Sequence, residues 1–473
     1  MSDAAVGLSS EPRDGVWATL REAVRGSHRD FTEVEIGRAV VLLAVPMVLE
    51  MIMESVFAVA DIFFVGRLGA GAVATVGITE SLMTVIYALA IGLSIGAAAT
   101  VARRIGEKDA DGAARAAVQS IALGVVAALA IGTIGVVFGS SLLRAMGASD
   151  EVVEHGSGFA RIMLGGSGSA LLLYLINAIF RGAGNAAIAM RVLWFANAIN
   201  IMLGPCFIFG LGPFPELGVA GAAVGTTIGR SSGVALQLYH LWRGGSRLAI
   251  RRRHLRLEMR AMAGIARLST SAVVQNFIGT ASWMGLIRIL TGFGSAAVAG
   301  NTIGIRIILF ALLPSYGVSN AAATLVGQNL GAGRPDRAEA SVWRAGWYNT
   351  ACLAVVGTIF LLFAPALIGW FSSDLEVIPY GVRCLRIVSA GFLFYGFGMV
   401  LTQSFNGAGD TRTPTLINLA CLWTLELPMA WVLAHPVGLG PTGVFLAVSL
   451  AFSALAVVSA AIFKRGFWKT ARV

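Results

Sequence analysis

Three carboxylates interrupt an apolar run. In PMVLEMIMESVFAVADIFF, residues 46–64, Glu50, Glu54 and Asp61 stand in a stretch long enough to enter a bilayer. A helix turns by about 100° per residue, so the three positions fall within an arc of about 40° and share one face. Each acid costs about 2.5–3.5 kcal/mol at the centre of a membrane helix, a heavy burden for three groups without a use. Desolvation disfavours the charged form of a carboxyl group, so acids placed there suit loading and releasing a proton. Two ionised carboxylates among neutral oxygens suit Na⁺ equally well. The structural alternative is pairing with buried arginines, and Arg230 and Arg306 both lie within apolar stretches.

Further polar side chains sit in apolar surroundings. Glu80, in GITESLMTVIY, and Glu426, in WTLELPMA, are intramembrane acids, and Asn177, Asn197, Tyr174 and Tyr87 are candidates to line a cavity or to bond neighbouring helices. GLSIG (92–96) fits the GxSxG pattern but lacks a strand–turn–helix setting. With five histidines and no HExxH, no metal cluster can be assembled, and no catalytic residue is assigned. The four cysteines fall in apolar spans without CxxC spacing and read as small core residues.

The elements that position these groups follow from composition. Over 473 residues, 56% are hydrophobic and only 13% charged, too little charge to cover a soluble protein of this length. Mean hydropathy is +0.78, and apolar stretches of about 20 residues recur along the chain. The reading is an all-α polytopic membrane protein of twelve spans, near 37–66, 72–98, 113–138, 155–180, 187–211, 217–242, 263–291, 296–325, 341–371, 378–405, 413–434 and 441–463. The net charge of +10 follows topology. Arg13, Arg21, Arg25, Arg29, Arg103, Arg104, Lys108, the linker 243–260, Arg334, Arg337, Arg412, Lys464, Arg465 and Lys469 all fall on one side, against Arg67 and Arg144 on the other. The positive-inside rule places both termini in the cytoplasm and argues against a nucleic-acid partner. Trp17, Leu20 and Val24 at helical spacing beside Arg21 and Arg25 suggest an interfacial helix in the tail.

The chain repeats itself at an offset of 225 residues. LGAGAVA (68–74) faces FGSAAVA (293–299), VARRIGEKDADGA (101–113) faces VGQNLGAGRPDRA (326–338), and FRGAGN (180–185) faces FNGAGD (405–410). Arg161 and Arg386 are equivalent as well. Six spans per repeat is an even number, so both halves enter the membrane the same way round, about an axis along its normal. The expected division is a tail 1–36, a first lobe 37–242, a basic linker 243–260, a second lobe 261–466 and a tail 467–473. The counterparts of Glu50, Glu54 and Asp61 are Gln275, Gly279 and Leu286, so the acidic site belongs to the first lobe alone.

VADIFFVGRLGAGAVATVG (59–77), INIMLGPCFIFGLGPFPELGVAGAA (199–223), TLVGQNLGAG (324–333) and FNGAGDTRTP (405–414), in this order and spacing, resemble the multidrug and toxic compound extrusion (MATE) family, prokaryotic drug-export branch. The resemblance covers nearly all of the chain after residue 36. It implies a twelve-helix, two-lobed exporter of organic cations that exchanges them for H⁺ or Na⁺, needs no cofactor, works in the lipid bilayer of the plasma membrane and acts as a monomer. Asp61 matches the family's first-helix acid, Asn200 a cation-site Asn of the fifth helix, and Thr226 a Thr of the sixth. Relatives often carry an Asp four residues after that Asn, where this chain has Gly204, and Glu54 stands ready to supply the missing charge from another helix. Glu50, Glu80, Asn197, Asn177, Tyr174, Gln275 and Glu426 complete the candidate site, with no metal beyond Na⁺. A flippase of lipid-linked precursors would want a basic cavity, whereas the clustered charge here is acidic. A membrane enzyme would want a catalytic constellation.

Overall fold

The computed structural model describes residues 15–27, 29–68, 70–244 and 247–471. Arg13 and Gly69 lie outside them, as do residues 1–14, 28, 245–246 and 472–473 generally. Helices make up nearly all of the described chain. In order they are α1 (Val16–Arg25), α2 (Ile36–Gly66), α3 (Ala70–Gly106), α4 (Ala110–Ala145), α5 (Asp150–Gly165), α6 (Ser167–Gly182), α7 (Ala186–Phe209) and α8 (Val219–Arg243). After the linker come α9 (Met259–Thr291), α10 (Ser295–Gly331), α11 (Pro335–Gly369), α12 (Val377–Ala390), α13 (Phe392–Ala408), α14 (Arg412–Asn418), a π-helical stretch (Leu419–Glu426), α15 (Leu427–Ala434) and α16 (Pro441–Lys464).

Among the described residues, nine segments are long and apolar enough to cross a membrane, and α12 with α13 makes a tenth, bent by 59°. α8 and α9 are more polar, carrying Arg230 and Gln237, and Arg260, Arg267 and Arg288 respectively, yet they pack within the same bundle and complete the twelve. Three spans that read as continuous are interrupted. Gly166 separates α5 from α6, Gly391 separates α12 from α13, and the eleventh span passes through the π-helical stretch. Each glycine sits against a neighbour: a methyl group on Gly166 would stand 2.5 Å from Thr227 Oγ1, and one on Gly391 2.8 Å from Ser449 Oγ. α2 runs through Pro46 without ending.

The two halves pack by exchanging equivalent contacts. A methyl group on Gly106 of α3 would lie 2.0 Å from the carbonyl oxygen of Gln328 on α10, and one on Gly331 of α10 would lie 2.1 Å from that of Arg103 on α3. Gly92 of α3 abuts Val273 of α9, while Gly317 of α10 abuts Val48 of α2. Gly327 meets Ala102, its own counterpart. Residues 103 and 328, 106 and 331, 92 and 317, and 48 and 273 all differ by the 225 read from the sequence. Glycine at these crossings lets helix backbones approach where a side chain would hold them apart.

These cross-lobe contacts gather at the basic end of the bundle. Thr324 Oγ1 donates to the carbonyl oxygen of Arg181 (3.3 Å), and Gln328 Nε2 to that of Gly182 (2.9 Å). A buried cluster there joins Leu43 and Met47 of α2 to Ala321, Leu325 and Val326 of α10. Toward the other end, Ile52, Val56, Val59, Ile62 and Phe63 of α2 are exposed. The close contacts between the lobes are thus concentrated at the basic end.

α1 is helical as its spacing suggests, with Val16 and Trp17 largely uncovered. Of the cysteines, Cys384 and Cys421 are buried, whereas Cys352 is exposed on α11 and does not belong to the core.

Candidate functional site

α2 turns its acidic face into the first lobe, against α6, α7 and α8. Two adjoining networks result. Glu50, 1% exposed, accepts hydrogen bonds from Arg181 Nη1 (2.7 Å) and Asn177 Nδ2 (3.0 Å) through Oε1. Gln237 Nε2 donates to Asn177 Oδ1 (2.7 Å), fixing the amide so that its nitrogen faces the carboxylate. Glu50 is thus in a buried ion pair, with an arginine that the sequence reading did not name. Arg181 also lies in the first lobe, in FRGAGN, and its counterpart is the uncharged Asn406 just as that of Glu50 is Gln275. That joint loss of opposite charges is the signal that could have revealed the pair.

Glu54, one turn on, has no such arginine. Its Oε1 accepts from the Tyr174 hydroxyl (2.6 Å) and its Oε2 from Asn197 Nδ2 (3.2 Å). Tyr174 stands edge-on to Tyr87, ring centroids 5.9 Å apart, and Arg230 Nη1 donates to the Tyr87 hydroxyl (3.0 Å). The Arg230 guanidinium also lies 5.9 Å from the Phe57 ring and 5.7 Å from that of Tyr87. Arg230 is thus a buried cation held by aromatic groups and felt electrostatically by both Glu54 and Asp61, without forming a salt bridge to either among the described residues.

Asp61 occupies a separate small pocket with Thr79, Glu80 and Thr226 beside Phe159 and Met163. The sequence reading placed Asp61 and Thr226 in one site, and they do line the same pocket. Among the described residues Asp61 makes no hydrogen bond or salt bridge. Asn200 is buried next to Gly229, one turn beyond Thr226, and its Nδ2 has no hydrogen-bond partner. Gly204 leaves open space: a methyl group there would find only Asn200 Oδ1, at 3.8 Å. Glu80 is exposed and lies within electrostatic reach of Arg306, which is exposed on α10 of the other lobe.

Other candidates sit apart. Asn177 and Asn197, 0% and 2% exposed, serve the acids rather than an open cavity wall. Gln275 is buried in α9 with Oε1 unpartnered. Glu426 is 1% exposed in the second lobe, far in sequence from the acidic face, and is likewise no wall of an open cavity in this conformation. No group of three or more His, Cys, Asp or Glu fit to hold a metal is found among the described residues.

The family model described as MatE matches residues 46–206 and 271–432. The chain is 27% identical over 436 residues to the probable multidrug resistance protein NorM of Thermotoga maritima, covering 92% of this chain and 94% of that one. It is 26% identical over 402 residues to a FAD transporter of Shewanella oneidensis, covering 84% and 87%. A solved structure described as the outward-facing conformation of a multidrug resistance MATE family transporter of the MOP superfamily superposes with a TM-score of 0.87 at 25% identity, covering 92% of this chain and 97% of that one. A MOP superfamily transporter from Pyrococcus furiosus, whose description speaks of a binding pocket of reverse polarity, gives the same TM-score and identity, with 93% and 98% covered.

Proposed function

We propose, for a chain that belongs to the MatE family, export of organic cations across the plasma membrane in exchange for H⁺ or Na⁺ by alternating access. Relatives named as multidrug resistance or export proteins support drug export. The observation that carries the coupling is the pair of unpaired acids in the first lobe: Glu54, held by Tyr174 and Asn197, and Asp61, in the pocket with Thr226. An ion and an organic cation would compete for these oxygens. In a conformation open at the non-basic end, a proton or Na⁺ arriving from that side neutralises the carboxylates and releases the drug. Closing that end and opening the other then discharges the ion. The basic end is the cytoplasmic one under the positive-inside rule, with both termini inside. The protein acts as a monomer in the bilayer.

The buried charge of the first lobe favours a cation over a lipid-linked pyrophosphate. Glu54 and Asp61 are unpaired, whereas Arg181 is already taken by Glu50. The test is dye efflux from proteoliposomes under imposed H⁺ or Na⁺ gradients, comparing wild type with Asp61→Asn and Glu54→Gln. Gradient-driven efflux should fall to near background in both variants. Efflux at the wild-type rate in both would sink the assignment.

A further inference from the structure

The repeat puts apolar residues in the second lobe at positions equivalent to the first-lobe site. Counterparts of Tyr174, Asn197, Asn200 and Thr226 are Met399, Leu422, Leu425 and Ala451. Against that background Glu426 is an exception, and its own counterpart in the first lobe is Ile201. It is 1% exposed, Oε2 accepts a hydrogen bond from Ser282 Oγ of α9 (2.7 Å), and Oε1 has no partner. No arginine, lysine or histidine bonds to it among the described residues. The titratable neighbours are the phenol of Tyr395 on α13 and the thiol of Cys421, neither a cation at neutral pH. The helices packed on this segment, α9, α14, α15 and α16, turn no charged side chain toward it.

A buried ionised carboxylate with one oxygen bare would bear an uncompensated desolvation cost, which a bound proton removes. Its place in the chain supplies a way for the proton to leave. Glu426 ends the π-helical stretch Leu419–Glu426, whose preceding residues Trp423, Thr424 and Leu425 are exposed. A π-helical turn holds one residue more than an α-helical turn, so relaxing it to α geometry rotates the residues beyond it by about 100° relative to those before. That motion carries Glu426 away from Ser282 and breaks the bond that holds it.

We propose that Glu426 and Ser282 form a second proton-binding site, in the second lobe and separate from the acids of α2. The carboxyl is neutral in the present conformation, with Ser282 donating to Oε2. Relaxation of the π-helical stretch removes the Ser282 hydrogen bond, and the proton leaves for solvent in the conformation that wets this segment, leaving the carboxylate. The site's role in transport rests on the antiport reading above; its protonation does not.

Two measurements separate those claims. Infrared difference spectra of purified protein over a pH series should contain a carboxyl C=O band that Glu426→Gln lacks and that Glu54→Gln and Asp61→Asn keep. Ser282→Ala should shift that band by removing its hydrogen bond. Identical bands in wild type and Glu426→Gln overturn the site, and an unshifted band in Ser282→Ala does so if Glu426→Gln proves too unstable to purify. In proteoliposomes, Glu426→Gln should move one proton fewer per dye molecule than wild type, and an unchanged stoichiometry overturns the transport role. Absence of gradient-driven efflux in the wild type would instead defeat the antiport reading while leaving the infrared assignment standing.

Discussion

Replacing Glu50 by glutamine separates a structural acid from a coupling acid. In the wild type, Glu50 Oε1 lies 2.7 Å from Arg181 Nη1, with the side chains 1% and 12% exposed. Removing one member of a buried pair leaves the other charge uncompensated, at a cost of about 3–5 kcal/mol. Glutamine keeps the shape and the bond from Asn177, so the loss falls on Arg181. For a chain this long, by extension from smaller domains, each kcal/mol moves a melting temperature by about 1–2 °C, so Glu50→Gln should melt about 3–10 °C lower. Arg181→Met should be similarly harmful, because it strands Glu50. The double variant should recover most of the loss, since a buried pair replaced by neutral groups of similar volume is often close to neutral. The assay is fluorescence-detected melting of purified protein in detergent for all four members of the cycle. Additive losses in the double variant, or a Glu50→Gln protein that melts with wild type and loses only ion-driven transport, would refute the structural role and place Glu50 with the coupling acids.

Three further outcomes follow from contacts at the basic end. Phe31 is 1% exposed under Arg247, whose guanidinium is 4.6 Å from its ring, while Arg334 and Arg337 of α11 donate to the carbonyl oxygens of Thr32, Phe31 and Val34. The segment thus ties the linker and first lobe to the second, and Phe31→Ala, at a cost of about 3–5 kcal/mol, should lengthen the spin-label distance between positions 110 and 340; an unchanged distance distribution refutes this. Gly106→Val should abolish the close crossing with Gln328 and lower both stability and efflux, whereas Gly77→Ala, with open space around it, should gain up to about 1 kcal/mol. Equal behaviour of the two in melting and efflux assays would remove the packing argument. Asp111 anchors the linker, accepting from Arg253 Nη2 (2.6 Å) and His254 Nε2 (3.0 Å), and the Arg253 bond first, then the His254 bond, hold its carboxyl below the usual aspartate range. A lowered folded value means the stabilisation is present above the ordinary value of about 3.9 and fades as pH falls through the lowered one. Hydrogen-exchange protection of 251–258 should therefore persist at neutral pH and weaken only in acid, and Asp111→Asn should weaken it throughout.

What could be read in the sequence was what repeats or runs long. Apolar stretches of bilayer length marked the spans, and the offset of 225 is the one that relates the reciprocal crossings of Gly106 on Gln328 and Gly331 on Arg103, although which residues meet across the lobes was not legible. The shared face of Glu50, Glu54 and Asp61 followed from helix geometry, and all three do turn into the first lobe. Partners were harder. Arg181 is 131 positions from Glu50 and was hidden at the end of a span that looked apolar. The breaks at Gly166 and Gly391 carried no proline to mark them, because close packing against Thr227 and Ser449 makes them, and packing is not a local property. The π-helical stretch LACLWTLE has no sequence signature either; its evidence is a buried acid that needs Ser282.

The contrast between scaffold and chemistry bears on how the lobes move. The close glycine crossings between the lobes are reciprocal under the repeat, so this scaffold treats both lobes alike. The polar networks are not reciprocal: Glu50 with Arg181 answers to Gln275 with Asn406, and Glu54 answers to Gly279. Neutralising Glu54 or Asp61 therefore changes forces inside one lobe only, between α2 and the helices α6, α7 and α8 that hold Tyr174, Asn197 and Arg230. α2 is also the helix that crosses to α10 near Gly317, where a methyl group would stand 2.7 Å from the Val48 amide nitrogen. An adjustment of α2 within its own lobe is thereby delivered to one of the close crossings between the lobes. Closely packed helices shift between discrete arrangements rather than deforming smoothly, so under the proposed antiport a small local change at Glu54 would bias which end of the bundle is open.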